Sequence, residues 1–230
     1  MSKSTTTDHA RLLADDFVDG GMNEIAAQIL VAALNLFAEK GYAATSVREI
    51  VREAEVTNPM LYYYFESKRG VFVALMEHLV DSQAQSVEQK AAVEDTLEGH
   101  LHAIARLHFD TCRRAPQVVR FIYSVMFGPL RSRPSFDISD TFDELEEQVE
   151  RVVLRAIDDG KFVPCDGFDA AFLANQFMGM LNHKMMCVLT DYEQAESSAQ
   201  AEAAFDEHLG DEALDKMLAL FFRGSGVLEE

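Results

Sequence analysis

The chain has 230 residues, enough for one large domain or two smaller ones around a buried core. Its net charge of −19 is the wrong sign for a protein that binds nucleic acid over its whole surface. No segment reaches the ~18 apolar residues of a membrane span, the start Met1–Ser4 lacks the hydrophobic run of a signal peptide, and three widely spaced cysteines argue against a disulfide framework.

The composition favours an all-α protein. Five prolines and twelve glycines are few for this length, and 48% of the residues are hydrophobic. An odd number of cysteines is typical of the reducing cytoplasm, where thiols stay free. We therefore expect a cytoplasmic protein that does not enter the membrane.

The N-terminal part of the chain predicts an arm followed by a first helix. Residues 1–23 are polar and acidic and include Gly20 and Gly21, which predicts a mostly disordered arm. Asn23 predicts the N-cap of the first helix, and Gly41 predicts its end. One face of this helix carries apolar residues at helical spacing: Ile25, Ile29, Ala33, Leu36 and Phe37. This stripe is expected to form the core of a small domain.

Two short helices with a tight connection are predicted next. Ser46 and Glu49 match the capping-box pattern S-x-x-E, in which each side chain bonds an unpaired backbone N–H. The helical pattern breaks near Glu55. A second helix begins at Thr57 or Asn58 and has a proline in its first turn, where no helical N–H bond is lost.

The second short helix keeps most of its side chains free. Leu61 and Phe65, four residues apart, point inward, whereas the other side chains stay largely free: Asn58, Met60, Tyr62, Tyr63 and Tyr64. A pair of short helices of this kind describes a helix-turn-helix. The unpaired amides at the starts of the helices near Ser46 and Ser67 suit phosphate oxygens, and Thr45 adds a hydroxyl and Lys68 a charge at these points.

Further helices fill the rest of the chain. Apolar periodicity and helix-breaking residues predict helices at about 68–89, 94–113, 117–128, 138–159, 167–190 and 209–223. The stretch 191–208 is acidic and rich in alanine and serine, and we expect it to be exposed.

The residues from Ile25 to Leu75 resemble the TetR family of transcriptional repressors. The resemblance rests on three runs: Leu36 to Tyr42, Ala44 to Ile50, and Val56 to Lys68. It implies a helix-turn-helix domain at 24–70 and a helical effector-binding and dimerisation domain at 71–225. It also implies a homodimer that represses transcription at a palindromic operator in double-stranded DNA. Members usually have glycine where this chain has Glu55.

The resemblance places the DNA contacts on the two short helices. Base-edge contacts are implied for Arg48, Asn58, Pro59, Met60 and Tyr62, and a phosphate contact for Tyr63. With the helix starts, the full set of candidates is Thr45, Ser46, Arg48, Thr57, Asn58, Pro59, Met60, Tyr62, Tyr63 and Lys68. A solvated helix face is the alternative for each of these residues.

The second domain is expected to bind a small apolar or aromatic effector and a second subunit. Pocket candidates are Leu107, His108, Phe109, Cys112, Phe121, Tyr123, Met126, Phe127, Phe177 and His183. Interface candidates on the last two helices are Phe177, Met180, Leu181, Leu218 and Phe222. Ordinary packing within the chain is the alternative for every residue in both sets.

Neither catalysis nor a metal site is predicted. His100 and His102 lie on different helix faces, and His108 lies two turns from His100, so they do not have ligand spacing. The carboxylates of residues 143–150 predict a solvated helix face. Cys112 has no activating partner in the sequence. We therefore expect no catalytic residue, no bound metal and no cofactor.

The negative charge keeps two other classes of protein open. Residues 24–80 carry a net charge of −2, whereas residues 81–230 carry −15, so the acid lies mainly outside the helix-turn-helix. One alternative is a sensor or interaction protein whose helix-turn-helix has lost DNA binding. The other is a small helical enzyme that uses histidines or carboxylates of the second domain. It would require turnover of a bound ligand that His108→Ala or His183→Ala abolishes.

Overall fold

A computed structural model describes residues 13–91, 94–128, 134 and 139–228 of the chain. Its helices are α1 (Glu24–Lys40), α2 (Val47–Glu53), α3 (Asn58–Phe65), α4 (Lys68–Ala91), α5 (Leu97–Arg114), α6 (Pro116–Phe127), α7 (Ser139–Asp158), α8 (Ala170–Gln194), α9 (Ser198–Leu209) and α10 (Asp211–Ser225). The predicted all-α fold class is confirmed. None of the helices in the described residues is long and apolar enough to cross a membrane.

The chain divides into two compact units. The first comprises Met1–Gln83 and Arg114–Ile138, and the second comprises Ala84–Arg113 and Ser139–Glu230. The first unit therefore contains α1, α2, α3 and α6 together with the first part of α4. The domains expected at 24–70 and 71–225 are a division by function, and that division remains a prediction.

The first unit is built on α1, which packs against α2, α3 and α6. Asn23 caps α1 by accepting a hydrogen bond from the backbone of Ile25, and Gly41 ends it at a φ of 83°. Four aromatic rings from α1, α4, α6 and the loop after α1 form one buried or half-buried cluster, with centroids 5.3 to 6.1 Å apart: Phe37, Tyr42, Phe72 and Phe121. Such rings bury a large apolar area, so the cluster determines how α4 and α6 pack against α1.

The expectation of a disordered arm is wrong for residues 13–19, which are helical. Leu13 and Phe17, one turn apart, are buried, and the Phe17 ring meets His78 of α4 edge-on at 4.6 Å. Arg114 forms an ion pair of 3.3 Å with Asp16. Composition does not reveal the apolar pair Leu13 and Phe17, because acidic residues surround it. Residues 1–12 of the expected arm lie outside the described residues.

The second unit contains a helix where only an exposed stretch was expected. Within 191–208, α8 continues to Gln194 and α9 begins after Ser197, whose hydroxyl accepts a hydrogen bond from the backbone of Gln200 at 3.2 Å. α9 packs on α8 and buries Phe205 against Tyr192, with ring centroids 5.3 Å apart. Alanine favours the helix, and three apolar residues are enough to dock it.

A two-stranded antiparallel ribbon was also not predicted. β1 (Phe162–Pro164) pairs with β2 (Gly226–Leu228), and Val163 lies opposite Val227. A side chain at Gly226 would lie 2.3 Å from the carbonyl oxygen of Val163, so the close approach requires glycine. Three-residue strands are too short to show a sequence period.

Candidate nucleic-acid interface

The first turn of α2 is a complete capping box. The hydroxyl of Ser46 accepts a hydrogen bond from the Glu49 backbone at 3.3 Å, and the Glu49 carboxylate accepts one from the Ser46 backbone at 2.8 Å. Hydrogen bonds from the Lys40 ammonium and then from Ser46 lower the pKa of Glu49 to about 2. The Ser46 hydroxyl also donates to Glu49 at 2.7 Å. α2 is therefore held in a fixed position at the end where a phosphate would approach.

The turn between α2 and α3 has the left-handed backbone that the resemblance implies. Glu55 has a φ of 54°, in a region that side chains disfavour. The backbone N–H of Val56 donates to the carbonyl of Val51 at 2.9 Å and closes the turn. This geometry sets the angle between the two helices without a glycine.

α3 presents an exposed face next to two buried anchors. Leu61 is fully buried and Phe65 nearly so, whereas the Tyr62 and Tyr63 side chains are 50% and 82% exposed. Asn58 and Pro59 are exposed as well, and Met60 is half-buried. The amide, apolar and phenol groups predicted to read base edges therefore share one accessible short helix.

Tyr64 differs from its two neighbours because it ties α3 to α1. Its hydroxyl donates to Oδ1 of Asn23 at 2.9 Å, and the same oxygen accepts the Ile25 backbone N–H at 3.0 Å. The ring meets that of Tyr63 edge-on at 5.0 Å. The C-terminal half of α3 is thereby fixed to the N-terminus of α1.

The starts of α3 and α4 differ in the groups they leave free. Thr57 precedes α3, and its exposed side chain makes no capping hydrogen bond. Pro59 has no N–H, and the Met60 N–H already donates to the Thr57 carbonyl at 3.0 Å. Ser67 precedes α4, and its hydroxyl accepts the Gly70 backbone N–H at 3.0 Å. The Thr57 hydroxyl is therefore better placed to meet a phosphate than the Ser67 hydroxyl.

Two predicted DNA contacts are instead engaged inside the first unit. The Thr45 side chain is 2% exposed, and its hydroxyl donates to the carbonyl of Gly41 at 2.9 Å. Lys68 donates to the carbonyls of Tyr42 and Thr45 at 2.8 and 2.7 Å. The Thr45 hydroxyl does not face outward toward a phosphate, because it donates to the carbonyl of Gly41 at the end of α1. Spacing in the sequence cannot show this, since it depends on how the loop folds back.

The pocket candidates divide between the two units. In the second unit Leu107, His108, Phe109, Cys112 and Phe177 are buried, whereas His183 is exposed. In the first unit Phe121 is buried in the aromatic cluster, Tyr123 and Met126 are half-buried, and Phe127 is 71% exposed. Whether these residues line a cavity remains a prediction.

Two buried polar groups in the second unit are held in their neutral forms. His108 lies 2.7 Å from the Ile104 carbonyl through Nδ1, and burial lowers its pKa. Burial raises the pKa of the Cys112 thiol to about 12, so it is a poor nucleophile. Within the residues that the structure describes, no three His, Cys, Asp or Glu side chains come together to hold a metal ion.

The interface candidates also fall into two groups. Phe177, Leu181 and Leu218 are buried within their own chain, and the Phe177 ring packs on Phe221 at 5.5 Å. Met180 and Phe222 are half-buried. Larger apolar side chains that the sequence analysis did not select are exposed on α8 and α10: Phe172 at 43%, Met186 at 50% and Leu220 at 67%. Phe177, Leu181 and Leu218 therefore face the core of their own chain, and whether any of the five candidates meets a second subunit remains a prediction.

Proteins with similar sequences include several that are named as transcriptional regulators. Residues 29–75 match the family model described as "Bacterial regulatory proteins, tetR family". The nucleoid occlusion factor SlmA of Mannheimia succiniciproducens is 27% identical over 163 residues, which span 67% of this chain and 74% of that protein. The HTH-type transcriptional repressor Rv3405c of Mycobacterium tuberculosis is 34% identical over 93 residues, which span 39% of this chain and half of that protein's length.

Solved structures with a similar fold include a further regulator. The transcriptional regulator FadR from Bacillus subtilis, solved in complex with stearoyl-CoA, aligns with a TM-score of 0.60. The alignment covers 80% of this chain and 97% of FadR at 17% sequence identity. At that identity the comparison shows a common fold.

Proposed function

We propose that the chain, whose residues 29–75 match the tetR family of bacterial regulatory proteins, is a transcriptional repressor that binds a palindromic operator as a homodimer in the cytoplasm. We further propose that a small apolar or aromatic molecule releases it. The exposed face of α3, anchored by buried Leu61 and Phe65, is the observation that carries the proposal.

The contacts proposed for this face follow from donor and acceptor chemistry. Asn58 can bridge N6 and N7 of adenine, and Arg48 of α2 can fork onto O6 and N7 of guanine. Pro59 and Met60 offer methylenes to a thymine methyl, and Tyr62 lies beside them. Both Arg48 and Asn58 are exposed. Each good bidentate pair contributes about 1–3 kcal/mol of discrimination against the wrong base.

The proposed homodimer follows from the short length of α3, the helix proposed to contact the bases. A short helix reads a few base pairs, so an operator of useful specificity requires two half-sites and a two-fold protein. The exposed Phe172 and Met186 of α8 and Leu220 of α10 supply an apolar surface for a second copy. Half-buried Met180 and Phe222 complete the proposed interface.

The effector is proposed to be largely apolar. The Bacillus subtilis regulator of the same fold was solved with stearoyl-CoA. Leu107, Phe109 and Phe177 of this chain are the apolar candidates in the second unit, and His108 can add one polar contact. Effector binding would shift α4 and change the separation of the two α3 helices. A coupling of about 1–3 kcal/mol would weaken operator binding about 5–150-fold.

The rival function is a sensor that no longer binds DNA, which the charge of −19 favours. Most of the acid lies in residues 81–230. Repulsion from charges farther than the ~8 Å Debye length is largely screened at physiological salt, so we expect weak non-specific binding without loss of the operator complex.

Selection of bound fragments from the source genome tests the proposal and separates it from this rival. The selected duplex should bind saturably, and the affinity should fall steeply with salt because the protein releases counterions from phosphates. Asn58→Ala should weaken binding to this duplex by about 1–3 kcal/mol. Gln194→Ala, which removes an exposed amide in the second unit, should leave it unchanged. Absence of saturable binding at low salt would support the rival.

A further inference from the structure

Lys68, the first residue of α4, makes three contacts with the loop between α1 and α2. Its ammonium donates to the carbonyl of Tyr42 at 2.8 Å and to that of Thr45 at 2.7 Å. It also lies 4.1 Å from the centroid of the Tyr42 ring, at cation–π distance. One ammonium thus contacts two carbonyls that lie three positions apart in the six-residue loop 41–46.

The loop that Lys68 holds leads directly into the capping box of α2. The Tyr42 carbonyl also accepts the Thr45 backbone N–H at 3.2 Å, and Ser46, the next residue, is the N-cap of α2. The Thr45 hydroxyl is turned to Gly41, so the loop is fixed from inside as well. The position of the first amides of α2 therefore depends on where Lys68 places the Thr45 carbonyl.

The Lys68 ammonium is poorly placed to act mainly as a phosphate contact. It has three N–H groups, and two are donated to carbonyl oxygens. Desolvation by burial lowers the pKa of Lys68, and the Glu49 carboxylate raises it in part. Arg48 of α2 is exposed by comparison. A phosphate could take only the remaining N–H unless it drew Lys68 away from the loop.

We propose that Lys68 is a positioning residue, by which the start of α4 holds the α1–α2 loop and so sets the phosphate-facing N-terminus of α2. This proposal rests on the proposed DNA-binding function. It also gives α4 a direct means of control, because a displacement of its first turn breaks both hydrogen bonds to the loop. The helix that is expected to respond to effector would then act on α2 within the same subunit, in addition to any change in the separation of the two α3 helices.

Two charge-removing variants separate a positioning role from a phosphate contact. In Lys68→Met, affinity for the selected duplex should fall about tenfold at every salt concentration, and the slope of log K against log salt should stay unchanged. In Arg48→Gln, the slope should become shallower by about 1, as for a lost phosphate contact or other lost charge at the DNA. An equal loss of slope in Lys68→Met would overturn the proposal.

Hydrogen exchange in the free protein supplies the second readout. The amides of Thr45, Glu49 and Ile50 are hydrogen-bonded in the loop and first turn of α2, so Lys68→Met should speed their exchange and Arg48→Gln should not. Unchanged exchange in Lys68→Met contradicts the positioning role. If Lys68→Met fails to fold, Lys68→Gln, which removes the charge and keeps a polar end, should speed the same amides. Wild-type protein that binds no duplex refutes the proposed function, whereas the exchange result decides the loop contact separately.

Discussion

At the residue scale, burial determines which side chains can take part in chemistry. His108 is 8% exposed and donates from Nδ1 to the Ile104 carbonyl, so its neutral form fits the site. Burial lowers its pKa in the folded protein below the ordinary value of 6.5. The unfolded chain therefore binds a proton as pH falls through about 6.5, while folded His108 resists protonation. Stability from this group is present above that pH and is lost as pH falls below it.

The loss of stability as pH falls gives a testable prediction for His108→Asn. The variant should lose less stability than the wild type between pH 7 and pH 5 in urea unfolding, because the group that prefers to charge in the unfolded chain is gone. His102→Asn, on an exposed site of the same helix, should keep the wild-type pH dependence. Parallel curves for wild type and His108→Asn would show that His108 does not contribute.

Single residues also show what the sequence can and cannot predict at the site. The partners Ser46 and Glu49 are three positions apart, so their contact follows from helix geometry and was predicted. The contact of Lys68 with Tyr42 spans 26 positions and joins a side chain to a carbonyl, which leaves no pattern in the sequence. The burial of Thr45 depends in the same way on how the loop packs against α1. The sequence alone therefore suggested a DNA contact for Thr45 and could not show its burial.

At the scale of elements, the turn between α2 and α3 carries a local cost. Glu55 has a φ of 54°, and a side chain in this region costs on the order of 1 kcal/mol. Glu55→Gly should therefore stabilise the protein by up to about 1 kcal/mol against urea. Glu53→Gly, two residues earlier in the last turn of α2, should destabilise it by about 0.5 kcal/mol. A loss of stability in Glu55→Gly would mean that contacts of the Glu55 side chain outweigh the strain.

Elements with capping residues or long apolar periods were predicted closely, and elements held by a few docked apolar side chains were not. α1 begins after Asn23 and ends at Gly41 as expected, because both capping groups are local. The helical residues 13–19 dock on α4, far along the chain, and α9 docks through a few apolar side chains on the preceding helix α8. The average composition of such a stretch is dominated by its charged, solvent-facing residues, so it does not reveal the few apolar residues that are buried.

At the scale of the whole molecule, the proposed dimer depends on apolar side chains that are exposed in the single chain. Leu220→Glu should convert the protein to a monomer in sedimentation with no loss of helical circular dichroism, because Leu220 is 67% exposed and its replacement leaves the core intact. Leu154→Glu makes the same change at an exposed leucine of α7 and should keep the dimer. A dimeric Leu220→Glu protein would place the interface elsewhere.

The central claim is that two copies of α3 read one stretch of DNA, and hydroxyl-radical footprinting on the selected operator tests it most directly. Two helices in a two-fold dimer should protect two matching patches whose centres lie about 34–36 Å apart, or 10–10.5 base pairs. Asn58→Ala should weaken both patches equally. A single protected patch, or two patches at an unrelated spacing, would contradict the account.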